Sequence, residues 1–171
     1  KNIITAGKNN VEYDSSPHTK FMNILEIQSS FPLTKIDENF INLFNPKLSL
    51  RINPSKMKRY SEENRRIDND NIFNINRLGL IDTLESGENL TLGIDYKKER
   101  LDDINKYFEF NLATVLRRKS NNNIPINSTL DQKNSNYFGK LTNSFNENIS
   151  LNYEFSVDNN LDQVQYNSFG T

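Results

Sequence analysis

The chain has no cysteine and a single histidine among its 171 residues. The first absence excludes disulfides and thiolate metal sites, and it removes any redox clue to the compartment. Also missing is an uninterrupted apolar run approaching the roughly 18 residues that a membrane-spanning helix needs. There is no basic excess: 21 Lys and Arg oppose 22 Asp and Glu, for a net charge of -1, which argues against a nucleic-acid footprint. No signal peptide is visible, but the chain begins at Lys1, so this absence says nothing. Hydrophobic residues make up 35% and charged residues 25%. These averages suit a polar soluble domain and equally a sheet with one polar face.

What the chain does have is alternation, clearest over residues 86–118. Leu90, Leu92, Ile94 and Tyr96 share one parity, and Thr91, Gly93 and Asp95 share the other. Further on, Phe108, Phe110, Leu112 and Leu116 alternate with Tyr107, Glu109, Asn111, Ala113 and Arg117. A period of two puts each set on its own face of a strand. The segment between them, 97–106, is nearly all charged and lies in water, so it is no crossover helix. The expectation is an antiparallel hairpin with one apolar face, of the kind found in outer-membrane barrels.

The rest of the chain repeats the device. Residues 3–8 read as the tail of a strand, followed by a polar loop over 9–18. A partly alternating strand covers 20–33 and is stopped by Pro32, which has no N–H for a central ladder. In 44–52, Phe44, Leu48, Leu50 and Ile52 oppose Asn45, Lys47, Ser49 and Arg51. Asn53-Pro54 then opens a long loop to about residue 85. A second polar loop covers 120–133. Strands follow at 137–141, 149–157 and 161–168, with turns at 144–148 and 158–160.

Each strand is expected to run about 8 to 12 residues, close to the roughly 9 to 11 that cross a bilayer at a tilt. The loops after Ile52 and Arg117 are long, while the turns near Asp37, Arg100 and Glu147 are short. This is the asymmetry of a barrel with long extracellular loops and short periplasmic turns. The count is about seven strands, and barrels close with about 8 or more. The expected fold is therefore an all-β antiparallel meander, an open part of a large transmembrane barrel, forming a single domain truncated at both ends.

Candidate chemistry is sparse. His18 is expected in a surface loop, without clustered carboxylates. Asp68-Asn69-Asp70-Asn71 opens like a calcium loop, but Ile72 takes the fifth position and no Gly stands at the sixth. Glu109 and Glu154 read as solvated wall rather than a catalytic pair. Asn127-Ser128-Thr129 fits a glycosylation acceptor that a bacterial barrel would not use. No catalytic, cofactor or metal residue is assigned. Lys56, Lys58, Arg59, Arg65 and Arg66 are candidates to bind phosphates; the plainer alternative is a solvated mixed-charge loop that includes Glu62 and Glu63.

The ordered set Pro46, Leu50, Pro54, Asn76, Arg77, Gly79, Asp82, Leu90, Thr91 and Gly93 resembles the lipopolysaccharide-assembly family LptD, the organic solvent tolerance proteins. One departure is Leu78-Gly79-Leu80-Ile81-Asp82-Thr83, which has an extra residue and no following Arg. The resemblance implies a Gram-negative outer-membrane protein that receives lipopolysaccharide from an LptA-like periplasmic bridge protein and inserts it into the outer leaflet beside an LptE-like lipoprotein. On that reading Glu109, Asn111, Arg117, Asn152 and Glu154 line the lumen. Lys56, Arg59, Arg77 and Asp82 are loop candidates, and the outer wall meets membrane lipid. A porin or receptor barrel and a soluble β-sandwich binding module are the alternatives. Finally, residues 72–87 are apolar for a loop. They are expected either to fold inward, anchored by Asn76, Arg77 and Asp82 against polar lumen residues, or to form a cluster on the rim.

Overall fold

Alternating sequence yields two strands longer than expected. β-Branched and aromatic residues at every second position suit a pleat with one solvated and one apolar face. In the computed structural model, which describes residues 2–5 and 16–171, β5 (Phe40–Asn53) and β6 (Gly87–Arg100) each run 14 residues. They pair antiparallel without a slip from Phe40↔Arg100 to Asn53↔Gly87. β7 (Tyr107–Arg117), β8 (Tyr137–Asn146), β9 (Ile149–Val157) and β10 (Val164–Gly170) follow as neighbours. Strand 137–141 thus extends to Asn146, which narrows the turn to 147–148, and the last strand starts three residues later than the sequence suggests.

The expected single strand over 20–33 is three pieces: β2 (His18–Phe21), β3 (Leu25–Ser30) and β4 (Leu33–Ile36). His18 accordingly begins a strand rather than ending a loop. Met22 leaves the strand line to bury itself with Leu84 and Ile24, which separates β2 from β3. β3 and β4 both pair with β5 in one continuous register, Ser30↔Lys47 and then Leu33↔Phe44. The gap between them falls at Phe31-Pro32, opposite Pro46. Phe31 N–H donates to the Pro46 carbonyl at 3.0 Å. In an antiparallel ladder a residue's N–H and C=O point to the same neighbour, so Pro46 has no N–H to return that bond.

β1 (Asn2–Thr5) and β2 form a separate two-stranded sheet. The expected first strand over 3–8 is described only to Thr5, and the rest lies outside the described residues. The main sheet runs β10-β9-β8-β7-β6-β5-β3, with β4 also on β5. The fold is all-β, an open antiparallel meander, as in part of a barrel wall.

Burial runs opposite to a soluble domain. On β5, Leu50 is 39% exposed and its neighbour Arg51 only 1%. Leu48, Ile52, Leu92 and Leu116 are exposed on the same face, and register places Leu90, Ile94, Leu112 and Phe110 beside them. Toward the short-turn end this face gathers Phe40, Phe44, Tyr96 and Phe108. The Tyr96 and Phe108 rings lie 6.4 Å apart, and Tyr96 Oη donates to Asn42 Oδ1 at 3.0 Å. The other face carries Ser49, Arg51, Asn53, Asn89, Thr91, Ala113, Val115 and Arg117, all buried.

Candidate functional site

What buries the polar face is the long loop 54–86, joined by loop 118–136. Met57, Ile67, Ile72, Leu78, Leu80, Ile124 and Leu130 from the loops pack on Ala113, Val115 and Phe138 of the sheet. Phe73 lies on Gly93, where a Cβ would stand 2.7 Å from the ring. The apolar character of 72–87 is thus spent on folding inward, as the first of the two expectations had it. No helix forms there, only successive turns, and Ile75 and Ile81 stay exposed.

At the base of this loop three arginines converge on Glu85. Arg77 Nε and Nη2 donate to its two carboxylate oxygens, each at 2.7 Å. Arg51 Nη1 donates at 3.2 Å and Asn89 Nδ2 at 3.2 Å, while Arg117 Nη1 bonds the same carboxylate and Arg117 Nη2 the Ser86 carbonyl. Arg77 Nη1 also reaches Thr91 Oγ1 at 3.0 Å. Arg51 Nη2 bridges Glu26 at 2.8 Å and the Asn74 carbonyl at 2.7 Å. Burial pushes the Glu85 carboxyl up, but the charge and hydrogen bonds of Arg77, then Arg117 and Arg51, outweigh it and hold the pKa at about 2. Three cations face two carboxylates here. Arg51 Nε and Arg117 Nε are buried donors without a hydrogen-bond partner among the described residues.

A second set of contacts joins the loop to the far strands. Lys140 Nζ on β8 donates to both oxygens of Asp70, at 3.1 and 3.0 Å. Arg66 pairs with Glu154 at 3.5 Å and stacks on Tyr166. These groups are more exposed than the cluster at Glu85 and correspondingly weaker.

The expected residues divide accordingly. Arg77 is anchored as anticipated, on Asn89 and Thr91 of the sheet. Asn76 and Asp82 are not: Asn76 caps Leu80 within the loop, and Asp82 bonds Tyr60 and Lys58, also in the loop. Glu109, Asn111, Asn152, Glu154 and Arg117 all have the parity of the loop-covered face. Asn111 donates to Asp95 at 2.9 Å, Asn152 accepts from Thr142 at 2.9 Å, and Glu154 accepts from Tyr166 at 2.8 Å. Arg117 is nearly buried in the cluster at Glu85. The basic run is largely taken up by neighbours: Arg59 by Ser61 and Glu62, Arg65 by Glu63, and Arg66 by Glu154, while Lys56 stays exposed. The Asp68-Asn71 run is a turn in which Asp68 Oδ1 accepts from the N–H groups of Asp70 and Asn71. Arg51, Glu85 and Glu26 were not anticipated. The parity of Arg51 and the isolation of Glu85 in an apolar segment were the available signals.

An antiparallel sheet that exposes its apolar face and covers its polar face with its own loops has the construction of a transmembrane β-barrel wall. No helix among the described residues is long and apolar enough to cross a membrane. The model of the LptD family, LPS transport system D, matches residues 6–171, and the chain belongs to that family. Membership makes it a component of lipopolysaccharide transport and assembly at the outer membrane. A comparison with curated proteins gives no match.

Proposed function

We propose that this sheet is a section of the barrel wall through which lipopolysaccharide passes from a periplasmic donor into the outer leaflet. The observation that carries the reading is the inverted burial of β5, with Leu48, Leu50 and Ile52 outward and Ser49, Arg51 and Asn53 inward. In hydrocarbon the outward set is solvated by lipid, and the ladder satisfies the backbone of the strands inside the sheet. The aromatic residues Phe40, Phe44, Tyr96 and Phe108 then mark the periplasmic interface, and the long loops lie on the cell surface. Glu109, Asn111, Asn152 and Glu154 present a polar wall to the sugar-phosphate part of the cargo, and loop 54–86 narrows the passage. The LptA-like bridge protein and LptE-like lipoprotein enter as donor and companion through the family alone. Depletion of the protein in its own cells, followed by surface staining of newly made lipopolysaccharide on intact cells, tests the reading. Staining should fall as the protein is lost, and unchanged staining would refute the transport role.

A further inference from the structure

We propose that the mouth formed by the long-loop ends of β5, β6 and β7 binds a phosphate group carried by a lipid; the assignment rests on the transport reading above. A cavity of about 270 Å³ opens there, lined by Ile52, Glu88, Arg117, Arg118 and Lys119 among others. Its size admits a phosphate with several waters. Lys119 is exposed and has no ion pair or hydrogen bond among the described residues. Among the described residues Arg118 pairs only with Glu88, at 2.9 Å, and both are largely exposed, so the pair exchanges readily for a stronger anion. Arg117 is 5% exposed and its Nε is an unmatched donor.

Charge favours an anion throughout. Asp131 also lies in the field of Arg117. Even so, Arg51, Arg77, Arg117, Arg118 and Lys119 outnumber Glu26, Glu85, Glu88 and Asp131. A phosphate supplies the missing negative charge and several strong acceptors, and guanidinium donors match its geometry.

Position identifies a lipid as the carrier. Register sets Ile52 opposite Glu88, and Arg118 N–H bonds the Glu88 carbonyl. The outward-facing apolar column of Leu48, Leu50 and Ile52 therefore ends at this charged rim. An amphiphile lying along that column places its acyl part on the leucines and its phosphate in the cavity. The structure thus separates this site from the basic run at 56–66, whose cations are mostly consumed by loop carboxylates.

The test uses the full-length protein in lipid nanodiscs and the double substitution Arg118→Ala with Lys119→Ala, which leaves the contacts to Glu85 untouched. Labelled lipid A bearing its phosphates should bind the variant about tenfold or more weakly than the unaltered protein. Dephosphorylated lipid A should bind the two equally, and Arg118→Lys, which keeps the charge but not the guanidinium fork, should bind phosphorylated lipid A with an affinity between those of the unaltered protein and the double variant. Millimolar inorganic phosphate should compete for the site in the unaltered protein. Equal affinity of both proteins for phosphorylated lipid A, or an equal loss for the dephosphorylated form, would overturn the proposal. Inorganic phosphate binding without lipid A binding would overturn the lipid assignment. If surface lipopolysaccharide falls on depletion while the double variant binds lipid A normally, only this site fails. If depletion has no effect, the transport reading fails.

Discussion

Removing the charge of Glu85 should release loop 54–86 while leaving the strands in place. In Glu85→Gln the side-chain volume is kept, but Arg51, Arg77 and Arg117 are left with Glu26 as the one remaining carboxylate in the cluster. Two routes give the cost. A glutamate carboxyl has an ordinary pKa of 4.5, and this one lies at about 2, a difference worth about 3 kcal/mol at about 1.4 kcal/mol per pH unit. Breaking one member of a buried ion pair costs about 3 to 5 kcal/mol by mutation. Because the folded pKa is the lower one, this contribution is complete above pH 4.5 and is lost as pH falls toward 2. Stability of the loop at neutral pH should therefore be insensitive to small pH changes. Hydrogen exchange of the full-length protein reads the effect directly: peptides from 72–86 should exchange about a hundredfold faster in Glu85→Gln, and those from β6 and β7 much less. Glu88→Gln, which alters an exposed pair, is the control. Identical protection of the loop in the two variants would refute the claim that Glu85 holds it down.

Arg77→Lys should behave nearly as badly as Arg77→Ala in the same assay, since an ammonium cannot make the two parallel bonds to Glu85 together with those to Thr91 and Asn89. Arg in place of Leu92, Phe110 or Leu151 should cost about 2 to 4 kcal/mol near mid-bilayer in a bilayer-refolding titration, with far smaller losses at Asn111 or Asn152; Thr91 is not a tolerant site, being 1% exposed and bonded to Arg77. Gly139→Ala would set a Cβ 2.0 Å from the Phe155 ring and should cost about 1 to 3 kcal/mol, recovered in part by pairing it with Phe155→Leu. For surface labelling of intact cells with an impermeant thiol reagent, Ser61 and Ser128 are buried, so Glu62→Cys and Asn127→Cys on exposed positions are the informative probes; labelling only after the outer membrane is opened would reverse the proposed topology.

The strands were legible because a period of two survives whatever lies on either side of the sheet. Residues 149–157 and 90–96 carry it without interruption; the structure follows it in register along 90–96 and, for 149–157, everywhere but at the two ends, where the pairing shifts. Residues 20–33 misled because Met22 and Pro32 interrupt a strand line that nevertheless keeps one register along β5. Local alternation records the pleat but not a two-residue detour made to bury a methionine. The lengths of β5 and β6 were underestimated for a related reason: Asn42, Lys97 and Lys98 are polar, yet they continue a ladder whose ends lie outside the apolar band.

The site was legible in part, and the missing part has a physical cause. Arg51, Arg77 and Arg117 each look like an ordinary solvated cation in their own segment, and only topology brings them to one point. That point is dry because Ile72, Leu78 and Leu80 cover the sheet beside it. Without the cover the guanidinium groups would be hydrated and would not need Glu85; with the cover and without Glu85, three cations would share a single carboxylate in a low-dielectric interior. The apolar half of the loop and its lone buried carboxylate therefore depend on one another. Replacing Ile72, Leu78 and Leu80 together with polar residues of similar size, with Arg77 kept, should weaken the ion pairs although it touches none of their side chains, and restoring those three residues should recover most of the loop's exchange protection.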